Sequence, residues 1–274
     1  MIFLLHADNG QLGVGTSVTF FPGGQTTGTV SYSAVPLEVG SQTGGMTGWK
    51  SVYVGGDGTA ATVCGIRGPT GQAYCWGYNS NGEIGDGTSN SPQPLVQLVQ
   101  NLPSGVAKLY MQTGYNNGNW NMARIAADGS VWTWGHPGNS GSAQLGRDTT
   151  VNPNDVASPV MLFSGDSVGL KGIVDVVYGG AAGYGTTCAL HRNGTVYCWG
   201  YNNFGSCGVG SSAAWVPYAT PINYPQNFLA RKIFGGVGGY GAYFCAIHAV
   251  DSGVYCWGMY FFELELHNFL MKYK

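Results

Sequence analysis

Short runs of β-branched and aromatic residues recur along this chain. They read Ser51-Val52-Tyr53-Val54, Val106-Ala107-Lys108-Leu109-Tyr110, Ile173-Val174-Asp175-Val176-Val177 and Ala230-Arg231-Lys232-Ile233-Phe234. Runs of this length and makeup, bounded by glycine, predict strands. A glycine-rich loop follows each, and then a second pattern, clearest as Cys188-Ala189-Leu190-His191-Arg192-Asn193-Gly194-Thr195-Val196-Tyr197-Cys198-Trp199-Gly200. An apolar run enters a Gly-containing turn and an aromatic-rich run leaves it, which predicts a β-hairpin. Sister copies run from Cys64 to Gly77, Ala123 to Gly135 and Cys245 to Gly258.

Every copy closes on Trp-Gly, at Trp76, Trp134, Trp199 and Trp257, with spacings of 58, 65 and 58 residues. Downstream lies Asn-x-x-Gly-x-x-Gly, as in Asn79-Ser80-Asn81-Gly82-Glu83-Ile84-Gly85, then a Ser/Thr/Pro stretch with a further strand such as Leu95-Val96-Gln97-Leu98. Each unit therefore holds about four short strands, and such sheets repeated radially are the blades of a β-propeller. The expectation is an all-β propeller of about four blades over residues 1–258. Its units are roughly 1–47 (partial), 48–104, 105–170, 171–228 and 229–258 (partial), and 259–274 is an atypical tail.

The array resembles the regulator-of-chromosome-condensation repeat. The resemblance rests on C-A-L-H-R-N-G-T-V-Y-C-W-G-Y-N-N-F-G, from Cys188 to Gly205, and on the three sister copies. It is closest in character to bacterial members with paired cysteines. It implies that Trp76, Trp134, Trp199 and Trp257 are core residues. The family usually has seven blades, so the favoured expectation is an incomplete, open array. The alternative is closure: Asn9-Gly10-Gln11-Leu12-Gly13-Val14-Gly15-Thr16 looks like the segment that follows a Trp-Gly, and would supply the last blade's missing outer strand. The tail MYFFELELHNFLMKYK has no Gly, and reads as a helical cap or a non-native extension.

Composition narrows the functional classes. Of 274 residues, 44% are hydrophobic and 13% aromatic, so a core is available, and 47 glycines provide many tight turns. Charged residues are only 9%, against about 25% in ordinary domains. Net charge is −2 and no Lys/Arg run occurs. Nucleic-acid binders carry a basic footprint, so no nucleic-acid partner is expected. No apolar stretch is long enough for a membrane span. Met1-Ile2-Phe3-Leu4-Leu5 lacks the basic region and cleavage site of a complete signal peptide.

Six of the seven cysteines bracket the hairpin turns as Cys64/Cys75, Cys188/Cys198 and Cys245/Cys256. Adjacent antiparallel strands bring such partners close enough for a disulfide. In the second unit both cysteines are missing together, with Ala123 and Thr133 read as the equivalent positions. Paired loss is what bonded partners would show; buried free thiols are the alternative. Disulfides imply an oxidising compartment, hence a secreted, periplasmic or cell-surface protein. Cys207 fills the slot of Leu12, Ile84 and Leu145, and reads as a buried apolar substitute.

No phosphate-binding loop, dinucleotide fingerprint or nucleophile elbow is present. His191 and His248 follow a cysteine in Cys-x-x-His, but no second ligand pair has zinc-site spacing. Neither enzymatic activity nor a metal or other cofactor is expected. Asn193-Gly194-Thr195 matches a glycosylation sequon by pattern alone. The candidate binding residues are aromatics assigned to the loops before each second strand: Tyr115, Trp120, Tyr184 and Tyr240. Rigid loop aromatics suit protein or glycan partners; packing between blades is the structural alternative. The leading expectation is a non-catalytic protein-binding scaffold. A glycan-binding or adhesion array is second, and an exchange factor for a small GTPase, drawn from the resemblance, is third.

Overall fold

The computed structural model describes residues 25–27, 30–32, 40–41, 44–56, 61–112, 120–125, 127–138, 143–149, 153–180, 184–211, 213–223, 228–238 and 241–258. Two small antiparallel pairs come first: β1 (Gln25–Thr27) with β2 (Val30–Tyr32), and β3 (Gly40–Ser41) with β4 (Gly44–Gly45). Four sheets follow, each an antiparallel meander in chain order. Blade one is β5 (Trp49–Gly55), β6 (Thr62–Arg67), β7 (Gln72–Gly77) and β8 (Gln93–Leu98). Blade two is β9 (Val106–Met111), β10 (Trp120–Ile125), β11 (Val131–Gly135) and β12 (Ser158–Pro159). Blade three is β13 (Ile173–Gly179), β14 (Thr186–His191), β15 (Val196–Tyr201) and β16 (Trp215–Pro221). Blade four has three described strands, β17 (Ala230–Gly238), β18 (Gly241–His248) and β19 (Val254–Gly258). The fold is an all-β propeller array of about four blades. The N-terminal segment expected to close a ring and the tail from 259 lie outside the described residues.

Register gives one correction. Across β10 and β11, Thr133 faces Met122, not Ala123. Cys64 faces Cys75, Cys188 faces Cys198 and Cys245 faces Cys256. Met122 and Thr133 are thus the true equivalents of a cysteine pair. Without cysteines to anchor it, pattern matching slipped by one residue, and in a strand one residue reverses the face.

All three predicted disulfides form, with Cα–Cα distances of 4.1, 4.2 and 4.0 Å. Such short distances suit directly opposed residues on neighbouring antiparallel strands. Between blades, apolar faces stack. Cys64, Ile66, Cys75 and Ile84 of blade one share a core with Leu109, Met111 and Trp134 of blade two. Blade two meets blade three through Tyr110, Val131, Leu145, Val176 and Trp199. Blade three meets blade four through Cys188, Val196, Cys198, Ile233 and Phe244. First strands approach each other closely near their ends. A Cβ on Gly179 would clash with the carbonyl oxygen of Gly236, so a side chain there would push two blades apart. Among the described residues, no helix is long and apolar enough to cross a membrane.

Candidate interaction surface

Trp134, Trp199 and Trp257 each reach into the loop of the preceding blade. Trp134 Nε1 donates to Glu83 O at 3.0 Å, and Trp199 Nε1 donates to Gln144 O at 3.1 Å. The indole lies against the loop's last glycine: Gly85 under Trp134, Gly146 under Trp199, Gly208 under Trp257. Those glycines have φ of +74°, +66° and +66°, and a Cβ there would come within 2.9 Å of the ring. Trp76, Trp134 and Trp199 are buried, as core residues should be. Trp257 is only half-buried, on the outermost described strand of its sheet, and its own Nε1 is buried with no hydrogen-bond partner among the described residues.

The receiving loop is held by an asparagine. Asn79 Oδ1 accepts from Ile84 N at 2.9 Å, while its Nδ2 donates to Thr88 O and Asn90 O. Asn202 repeats this with Cys207 N, Ser211 O and Ala213 O. Glu83 stands where Gln144 and Ser206 stand in the sister loops. It is fully buried, and its carboxylate accepts from Asn81 N at 2.8 Å and Asn81 Nδ2 at 2.9 Å. Desolvation outweighs these bonds and raises its pKa to about 7.

Blade two has no disulfide and uses a buried arginine instead. Arg147 Nε donates to Thr133 Oγ1 at 3.3 Å, and its guanidinium also reaches Thr133 O and Pro153 O. Burial lowers its pKa to about 10, with Asp155 opposing the shift. Cys207 is fully buried, and desolvation raises its thiol pKa, which makes it unreactive. His191 Nδ1 pairs with Asn193 Oδ1 and His248 Nδ1 with Asp251 Oδ1, so both rings organise hairpin turns. Among the described residues no three His, Cys, Asp or Glu side chains are grouped to hold a metal ion.

Of the four candidate binding aromatics, Tyr115 and Tyr240 lie outside the described residues. Trp120 opens strand β10, paired with Gly135, and is not a loop residue. Tyr184 does sit in a loop. Its ring lies 4.9 Å from Tyr201 and 6.5 Å from Trp215, and Tyr201 in turn meets Phe204 at 6.4 Å. Tyr184 is 37% exposed and Phe204 is 48% exposed, so the cluster is braced from beneath and open above. The repeat pattern singled out Tyr184 but missed Tyr201, Phe204 and Trp215, which come from the segment after Trp-Gly.

Charge is divided between the two ends of the blades. Lys50, Lys108, Arg231 and Lys232 lie within the first residues of first strands, Lys171 just before one, and Arg67, Arg124 and Arg192 at or beyond the ends of second strands. This is the hairpin end. Glu83, Asp86, Asp148 and Asp155 lie at the opposite, loop end, the end that also carries Tyr184 and Phe204 of blade three. Asp128, Asp166, Asp175 and Asp251 share the hairpin end, leaving basic residues there in excess.

Stacked four-stranded meanders locked by tryptophans define a blade-repeat β-propeller protein. The chain carries regulator-of-chromosome-condensation repeats: the model described as the Regulator of chromosome condensation (RCC1) repeat matches residues 177–206. Human E3 ubiquitin-protein ligase HERC2 is 30% identical over 195 residues, covering 69% of this chain and 4% of that protein. Human probable E3 ubiquitin-protein ligase HERC3 is 34% identical over 110 residues, covering 39% of this chain and 9% of that protein. This chain therefore spans a small part of the curated relatives it matches. The crystal structure of human WBSCR16 matches with TM-score 0.52 at 17% identity, over 76% of this chain and 48% of that chain, and shares the fold.

Proposed function

We propose that this chain is a non-catalytic protein-binding module that works in an oxidising compartment. The aromatic cluster of Tyr184, Tyr201, Phe204 and Trp215 carries the reading. Large rings that are packed below and open above bind partners at small entropic cost, and such residues dominate protein interfaces. The strongly shifted ionisable groups, Glu83, Arg147 and Cys207, are buried in structural roles. Three disulfides support the compartment. Glycan binding is a second reading, favoured by the open aromatic edge of the same cluster.

The test is photo-crosslinking from a benzophenone placed at Asn203, beside Phe204, in medium from the source cells. A discrete polypeptide adduct that disappears in Tyr184→Ala/Phe204→Ala, with the melting temperature unchanged, is the expected result. An adduct indifferent to that double substitution, or retention only on a glycan array, would refute the protein-binding reading.

A further inference from the structure

The linker between blades two and three is longer than its counterparts. Backbone bonds fix equivalent positions: Val99, Val160 and Ile222 bond to Ala73, Val131 and Val196, while Val106, Ile173 and Ala230 bond to Gly71, Gly129 and Gly194. The linkers run from Val99 to Val106, from Val160 to Ile173 and from Ile222 to Ala230, so the middle one holds most of the extra residues behind the 65-residue spacing. The insertion is compact. Buried Asp166 accepts from Leu162 N at 3.0 Å, Val168 N at 2.9 Å and Gly169 N at 3.2 Å, and its own N–H donates to Phe163 O. These bonds hold the Asp166 carboxyl below its ordinary pKa.

A loop closed around its own carboxylate is built to hold a shape. The shape displays apolar residues: Phe163 is 61% exposed and Val168 is 66% exposed, with Leu162 beside them. Leu170 anchors the insertion in the core between blades two and three, so the tip that carries Phe163 and Val168 has no packing reason of its own to be apolar. It leads into Lys171, and Gly172 lies against the side chains of His191 and Arg192. Arg192, Arg231 and Lys232 at this end have no carboxylate partner among the described residues.

We propose that the 162–171 loop and its basic surround form a second docking surface, for an acidic polypeptide segment carrying an apolar anchor. Phe163 and Val168 take the anchor; Arg192, which donates to the carbonyl of Asp128 at 3.2 Å and has no carboxylate partner among the described residues, and Lys171, whose exposed pair with Asp128 at 3.4 Å would have to open, receive the carboxylates. The apolar tip, with Leu162 and Val168 beside Phe163, favours a polypeptide over a nucleic-acid duplex, whose stacked bases leave mainly its phosphates to contact the cations. The surface lies at the end opposite Tyr184. The proposal rests on the binding-module reading and adds the partner's chemistry.

The experiment uses the full chain and a fluorescein-labelled peptide of alternating Asp and Glu with a central Leu-Phe pair. Controls are the same peptide with Ser-Gly at the centre, and a short DNA duplex. Binding to the Leu-Phe peptide is expected, weakening at least about fivefold in Phe163→Ser/Val168→Ser and in Lys171→Glu/Arg192→Glu, and falling with salt. Tyr184→Ala/Phe204→Ala leaves it unchanged. Circular dichroism melting verifies that each surface variant is folded. Absence of peptide binding, equal binding of the Ser-Gly peptide, preference for the duplex, or indifference to the loop variants overturns the proposal. If binding is lost in Tyr184→Ala/Phe204→Ala alone, the chain is still a binding module but the docking surface is wrong.

Discussion

Glu83 occupies a position where the sister loops place an amide or a hydroxyl, and it does so without exposure to water. A carboxyl whose pKa is higher folded than unfolded is favoured protonated in the fold. Its contribution is whole below the unfolded value of 4.5 and is lost as pH rises to about 7. The loss is at most about 3 kcal/mol. Glu83→Gln should therefore raise the melting temperature above neutral pH and flatten its decline between those two values. Urea titrations across that range check this, and an unchanged pH slope would show that Glu83 is not the group responsible. The Asn-x-x-Gly-x-x-Gly pattern locates Glu83, but not its state. Its ionisation depends on burial, in a loop whose Glu83 carbonyl receives the next blade's Trp134, 51 residues away along the chain.

Hairpins were the most legible elements, because the cysteine pairs, the glycine turn and the Trp-Gly dipeptide fix both period and register. Where the cysteines are missing, in β10 and β11, the reading slipped by one residue to Ala123. Arg147, which bonds Thr133 at the cysteine-equivalent site, was missed. Its signal was available as a basic residue where Asp86 and Val209 stand in the sister loops. Position in the array separates the three disulfides. Cys64, Cys75, Cys188 and Cys198 are fully buried, whereas Cys245 is half-buried and Cys256 is exposed on the last described strand. Thiol exchange needs direct access for the attacking thiolate. Mild reductant on the native chain should therefore open Cys245–Cys256 first, with the other two pairs reacting only on unfolding. Alkylation followed by peptide mass spectrometry reads the order, and simultaneous release of all three pairs would refute it.

At the level of the whole array, each blade has one face toward the preceding blade and one toward the next, and burial follows whether another described blade packs on that face. Val52 and Val54 of blade one are exposed, while their register equivalents in blade two, Leu109 and Met111, are buried. At the other end, Val254 is 69% exposed, whereas Val131 and Val196 at the same repeat position are fully buried. One side chain in one local structure thus has two energetic values, set only by the next sheet. Stability in such arrays is a sum of repeat and nearest-neighbour interface terms. Val196→Ser removes buried methyls and places a hydroxyl in an apolar interface, so it should cost about 2–4 kcal/mol. Val254→Ser makes the same chemical change at the open face and should stay within about 0.5 kcal/mol. Paired denaturant titrations measure the contrast. Equal costs would mean that blade four's outer face is covered in solution, and that the interface repeated between the inner blades continues beyond it.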